Sequence, residues 1–124
     1  MTKILMIEDD VAMAEMYKKV FNFAGFDFDI GIDGEDGIKK ASMDQYAVIL
    51  LDIMMPRMDG IKVLEQLKRQ ESTKKVPVLI LTNLDNDVIS TEAMGKGAAG
   101  YVIKSEVSND ALIQRVKQLV ASGQ

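Results

Sequence analysis

Val48-Ile49-Leu50-Leu51-Asp52-Ile53-Met54-Met55-Pro56-Arg57-Met58-Asp59-Gly60 joins a continuous apolar run to a lone carboxylate and then to a turn. An apolar run of this length with no polar alternation reads as a strand buried on both faces, the pattern of a parallel sheet covered by helices. Asp52 then stands at the carboxyl end of that strand. In open parallel sheets this edge frames the ligand crevice, because the loops leaving it part there. Pro56 stops the strand, and Asp59-Gly60 marks a turn into a helix.

Working outward, strands alternate with amphipathic helices along the whole chain. Residues 3–7 form a strand, after which Asp10 caps a helix whose inner face carries Ala14, Tyr17, Phe21 and Ala24 and which ends at Gly25. Residues 26–31 form a weaker strand, and the alternation of Asp27 and Asp29 gives it an edge position. A helix over 34–43 leads to the strand at 47–51. Ile61, Leu64 and Leu67 make the inner face of a third helix. Residues 76–81 are a fourth buried strand, with Pro77 tolerated at its start. The weakest helix, 86–94, contains β-branched Val88, Ile89 and Thr91 and is expected to be mobile. A fifth strand at 99–103 precedes a helix built on Leu112, Val116 and Leu119, which runs to about Ala121 before Ser122-Gly123-Gln124 fray. Five βα units joined by right-handed crossovers predict an α/β, three-layer sandwich. One domain accounts for residues 1–124.

Composition narrows the chemistry. The chain has 124 residues, enough for one domain with a real core. Its longest apolar runs fall well short of the roughly 18 residues that span a bilayer, and its N-terminus lacks a signal-peptide pattern. A cytoplasmic protein without membrane contact is the expectation. There is no cysteine and no histidine, which removes thiolate and imidazole chemistry, metal ligation by either, and phosphohistidine on this chain. A net charge of −4 gives no electrostatic reason to bind nucleic acid directly.

The polar residues that interrupt the buried strands fall at one common edge: Glu8 and Asp9 after the first, Asp52 after the third, Thr82 after the fourth and Lys104 after the fifth. Taken singly, each reads as a cap or a solvated loop residue. Together, three carboxylates within about 4–6 Å repel by roughly 1–4 kcal/mol per pair and call for a cation. An all-oxygen set favours a hard ion such as Mg²⁺. A metal-assisted carboxylate beside a hydroxyl and an ammonium suits phosphoryl transfer.

The segments Ile4-Leu5-Met6-Ile7-Glu8-Asp9-Asp10, Leu50 to Gly60, Leu81-Thr82 and Gly97-Ala98-Ala99-Gly100-Tyr101-Val102-Ile103-Lys104, in this order and spacing, resemble the CheY-like receiver domain of two-component response regulators. The resemblance covers essentially the whole chain. It implies a doubly wound, flavodoxin-like (βα)5 fold with five parallel strands in the order 2-1-3-4-5. It implies Asp52 as phosphoacceptor, served by a sensor histidine kinase or a phosphotransfer protein. Mg²⁺ would be held by Asp9, Asp52 and the backbone carbonyl of Met54, with Glu8 on a metal-bound water, while Asp10 remains a helix cap. Thr82 and Lys104 would contact the phosphoryl oxygens, and Tyr101 would be the switch aromatic that follows Thr82. The implied function is a phosphorelay switch that promotes its own aspartyl phosphorylation and dephosphorylation, not an enzyme with an external substrate. Its fourth helix, fifth strand and fifth helix would change to meet a downstream target protein, and a phosphorylation-dependent homodimer stays open. A haloacid-dehalogenase-type phosphohydrolase and a receiver that binds partners without phosphorylation are the alternatives; Met54 stands where the former has a second acid.

Two positions depart from the family pattern. Ser105 stands where proline commonly follows the lysine, often after a cis bond. A cis bond before a non-proline residue costs ~2.5–4 kcal/mol, so a trans or strained Lys104-Ser105 bond is expected. Asn83 replaces a small residue after Thr82, which predicts partial gating of the phosphoryl group and an altered phosphate lifetime.

Overall fold

The apolar run at its centre is the third strand of a five-stranded parallel sheet. A computed structural model describes residues 2–56 and 58–122. Strand β1 (Lys3–Ile7) is followed by helix α1 (Val11–Phe23), β2 (Asp27–Gly31), α2 (Gly34–Met43), β3 (Val48–Leu51), α3 (Gly60–Arg69), β4 (Val78–Thr82), α4 (Asp87–Gly95), β5 (Gly100–Ile103), a 3-10 helix at Lys104–Glu106 and α5 (Asn109–Ser122). The strands lie in the order β2-β1-β3-β4-β5 and every pairing is parallel. The order foreseen from the sequence is the order found, with β2 at the edge.

Strand alternation divides the core in two. Leu5, Ile7, Ile49, Leu51, Val78 and Ile80 face α2, α3 and α4, where they pack with Ile38, Leu64, Leu67 and Ala93. Ile4, Met6, Val48, Leu50, Leu79 and Leu81 face α1 and α5, where they meet Phe21, Tyr17, Leu112 and Val116. Phe21 stacks on Phe28 at 5.4 Å between centroids and meets Phe26 edge-on at 5.7 Å, which ties α1 to the edge strand.

Local chemistry sets the boundaries. Asp10, Asp33, Asp59 and Asn86 cap α1 to α4, each side chain accepting from a backbone N–H in the first turn. Gly25 leaves α1 at φ 96°, a conformation that favours glycine. Two readings from the sequence need correction. β4 begins at Val78, not at residue 76: Pro77 lends its carbonyl to Ile49 N–H at 3.0 Å but has no N–H of its own to give a ladder. At the other end Thr82 pairs with Ile103, which makes it the last residue of β4 and not the first of the loop. The 3-10 helix at Lys104–Glu106 was not foreseen, because three residues carry no periodicity. α5 includes Ser122; the fraying expected at 123–124 lies outside the described residues.

Candidate functional site

All five strands end on the same edge, so the residues following them meet there. β1 and β3 are neighbours although β2 lies between them in sequence, and the chain leaves them toward opposite faces of the sheet, into α1 and α3 respectively. Ile7 pairs with Leu51, which sets Glu8 and Asp52 at the same level one residue past the ladder. Thr82 pairs with Ile103, setting Lys104 one step beyond Thr82. Asp52 N–H donates to Ile7 carbonyl at 3.1 Å, and Glu8 N–H to Gly31 carbonyl at 2.9 Å, so the backbone beneath both acids is tied to the sheet.

The loop after Asp52 is held by a close approach. A Cβ on Gly60 would lie 2.2 Å from the Cα of Ile53, so only glycine lets the start of α3 press against the residue after Asp52. Asp59 fixes the same turn by accepting from Ile61 N–H at 2.9 Å. Met54 N–H donates to Asp52 Oδ1 at 2.9 Å, and this locks the carboxylate's rotation.

Lys104 reaches from the end of β5 across β4 to β3 and β1. Strands are spaced by about 4.8 Å, so only a long cationic side chain spans this gap. Its Nζ donates to Asp52 Oδ2 at 2.9 Å and pairs with Glu8 Oε1. Glu8 Oε2 accepts from Asp10 N–H at 3.1 Å. Both acids are buried, Glu8 at 1% exposure and Asp52 at 6%. Burial, and then repulsion from Asp52, push the Glu8 carboxyl up to about 7 despite the Lys104 contact. Burial draws the Lys104 ammonium down, but the hydrogen bonds to Glu8 and Asp52 outweigh it and leave the net direction upward. Lys104 thus stays charged at neutral pH.

Carboxylate oxygens of Glu8, Asp9 and Asp52, the three acids expected from the sequence to gather at this edge, lie within 4.8 Å of one another. Three acids and one ammonium leave two negative charges when all are ionised. Oxygen donors of that residual charge fit one hard divalent cation with water filling its other positions. Asp10 stands apart from this set: its Oδ1 caps α1 at Met13 N–H, 3.1 Å, as expected.

Thr82 is fully buried, and its Oγ1 accepts from Leu84 N–H at 3.2 Å. Tyr101 donates its hydroxyl to the Leu84 carbonyl at 2.5 Å. Burial and the nearby Asp85 and Asp52 raise the phenol, so it stays a donor at neutral pH. One residue, Leu84, therefore joins the two residues read as the switch, through its N–H to Thr82 and its carbonyl to Tyr101. The sequence gives no sign of Leu84, since a backbone link leaves no residue-type signature. No cis peptide bond occurs among the described residues, so the Lys104-Ser105 bond is trans. Asn83 Oδ1 accepts from Ser105 N–H at 3.0 Å, a contact between the two departures from the family pattern.

Residues 4–117 match the family model described as the response regulator receiver domain. Transcriptional regulatory protein HprR of Escherichia coli is 37% identical over 115 residues, which are 93% of this chain and 50% of HprR. The DNA-binding dual master transcriptional regulator RpaA of Synechocystis is 33% identical over 120 residues, 97% of this chain and 49% of RpaA. The chain thus spans about half the length of these curated relatives. Among solved structures, the receiver domain of Francisella response regulator 1452 superposes with a TM-score of 0.90 at 33% identity, covering 100% of both chains. Chemotaxis protein CheY4 of Vibrio cholerae gives 0.89 at 25% identity, over 96% of this chain and 98% of that one. Family match, strand order and the acidic edge agree: the chain belongs to the receiver domain family of two-component response regulators, a domain of phosphorylation-dependent signalling.

Proposed function

We propose that this chain is a phosphorylation-activated switch in which Asp52 accepts the phosphoryl group of a phosphohistidine on a sensor histidine kinase or phosphotransfer protein. The observation that carries the reading is a buried carboxylate at a strand end with an ammonium 2.9 Å from Oδ2 and two further acids within 4.8 Å. An Asp52 oxygen attacks phosphorus, the phosphorus–nitrogen bond breaks, and its electron pair leaves with the donor imidazole. An acyl phosphate results. Lys104 Nζ already stands where an oxygen of that phosphoryl group needs a cation, and the Thr82 hydroxyl supplies a second donor. Asp9, Asp52 and the Met54 carbonyl would hold Mg²⁺, with Glu8 on its water. When bound, the ion offsets the charge of the phosphoryl oxygens. The same groups serve hydrolysis of the acyl phosphate, so the domain promotes both its own phosphorylation and its reversal.

The switch follows from Leu84. When Thr82 Oγ1 turns to a phosphoryl oxygen, its contact with Leu84 N–H is given up, and the peptide that anchors Tyr101 is freed to move. Tyr101 then turns inward and the face of α4, β5 and α5 changes. Val88, 76% exposed on α4, and Met94 offer that face apolar contact with a downstream target protein or, after phosphorylation, a second copy. The acidic net charge favours a protein target over direct contact with nucleic acid. No helix among the described residues is long and apolar enough to cross a membrane, and a cytoplasmic setting is in keeping with the proposed kinase partner.

Intact mass after incubation with acetyl phosphate and Mg²⁺ tests this reading. The expected result is a gain of one phosphoryl group that disappears in Asp52→Asn and in chelator. A gain retained in Asp52→Asn, or no gain from either acetyl phosphate or a phosphorylated histidine kinase, overturns it.

A further inference from the structure

β4 and β5 run side by side as far as Thr82 and Ile103, where their ladder ends. Beyond it the chains diverge into separate loops, one residue after Thr82 on one side and at Lys104 on the other. The 3-10 helix that begins at Lys104 has no side-chain cap of its own, so its first N–H groups lack partners within the segment. Asn83 meets one of them from the neighbouring loop: its Oδ1 accepts from Ser105 N–H at 3.0 Å. The residue after Thr82 and the residue after Lys104 are thus joined where the backbone ladder cannot reach. Ser105 permits this because it has an N–H to give, and the carboxamide of Asn83 provides the acceptor.

Resting on the reading of Asp52 as phosphoacceptor, we infer that Asn83 is a positioning residue, whose bond to Ser105 N–H holds the first turn after β5 so that Lys104 Nζ stays at Asp52 while the phosphoryl group arrives. The side chain of Lys104 is long and loses rotamer freedom when fixed, so any slack in its backbone weakens the contact. The carboxamide is turned to Ser105 N–H, so the effect of Asn83 on phosphorylation travels through residues 104–105 and not through blocking of the phosphoryl group. The bond lies at the surface, and its loss is expected to change rates by a modest factor, roughly two- to tenfold.

The experiment is the rate of phosphorylation by acetyl phosphate and Mg²⁺, followed by intact mass, in a double-mutant cycle of Asn83→Ala and Ser105→Pro, with Ser105→Ala beside it. Asn83→Ala is expected to slow the reaction roughly two- to tenfold. Ser105→Ala keeps the N–H and keeps the wild-type rate. In the Ser105→Pro background, where no N–H remains, Asn83→Ala is expected to change nothing further. An unchanged rate in Asn83→Ala overturns the inference, as does an equal effect of Asn83→Ala in both backgrounds, which would put Asn83 at the phosphoryl group itself. Exchange of the Ser105 amide in unphosphorylated Asn83→Ala gives a second test independent of the proline variant: unaltered exchange relative to wild type overturns the inference. A wild type that takes up no phosphate, with Ser105 exchange accelerated in Asn83→Ala, overturns instead the reading of Asp52, and with it the role assigned to the bond.

Discussion

With 1% of its surface exposed, Glu8 is a carboxylate that water cannot solvate, and its carboxyl is pushed up to about 7. A group whose pKa rises from its ordinary 4.5 to about 7 on folding supports the fold fully below pH 4.5 and loses that support as pH rises through 7. The metal-free protein should therefore lose stability between those limits. Glu8→Gln removes this dependence, and at pH 8 in chelator it should be more stable than wild type by roughly 1–3 kcal/mol. Urea titrations of both proteins at pH 5 and pH 8 check the sign; a wild type as stable at pH 8 as at pH 5 contradicts it. Gly60 answers to sterics alone. Its Cβ would stand 2.2 Å from Ile53 Cα, a backbone atom that cannot yield cheaply. Gly60→Ala should cost at least ~1–3 kcal/mol and disturb the Asp52 loop, so slower phosphorylation should accompany a lowered denaturation midpoint.

Among the α-helices, α4 is the one that buries the fewest residues. Only Ala93 of its residues is buried, whereas α3 buries Ile61, Val63, Leu64 and Leu67. The segment leading into α4 is tied at Leu84, whose N–H donates to Thr82 and whose carbonyl accepts from Tyr101. Amide exchange at residues 83–95 is therefore expected to respond most to phosphorylation, and a uniform response over the whole sheet would count against a local switch. The weakness of this helix was legible in its β-branched residues, as the buried strands were in their uninterrupted apolar runs. The edge position of β2 was legible in Asp27 and Asp29. Pro77 misled by two residues, because a proline at a strand start and a proline just before it carry the same sequence signal. At the site, Glu8, Asp9, Asp52, Thr82 and Lys104 were each readable as polar residues ending buried strands. What was hidden depends on side-chain reach across strands and on backbone partners: Lys104 on Glu8, Leu84 between Thr82 and Tyr101, and Asn83 on Ser105. No spacing in one dimension encodes such contacts.

For the molecule as a whole, binding of a divalent cation to the acidic edge should act as a stabiliser by mass action. At a Mg²⁺ concentration one hundred times the dissociation constant, the gain is about 2.7 kcal/mol. Thermal melts with Mg²⁺ and then with excess chelator should show a reversible rise in midpoint for wild type and a much smaller one for Asp52→Asn. A rise of equal size in Asp52→Asn would place the ion elsewhere. The surface face carrying Val88 and Met94 bears on assembly: sedimentation with and without acetyl phosphate should reveal a concentration-dependent increase in mass only in the phosphorylated sample if a second copy is the partner.

The ion pair between Glu8 and Lys104 closes across 96 positions of a 124-residue sequence. During synthesis the ribosome therefore delivers the acids near the start long before the cation that answers them. Until β5 docks against β4, the nascent chain carries Glu8, Asp9 and Asp52 without their ammonium, and the contact of longest range is among those whose loop-closure cost is paid last. On the proposed reading of Asp52 as phosphoacceptor, competence to take up phosphate should thus report completion of folding, because the acidic edge has no ammonium until the fifth strand is in place.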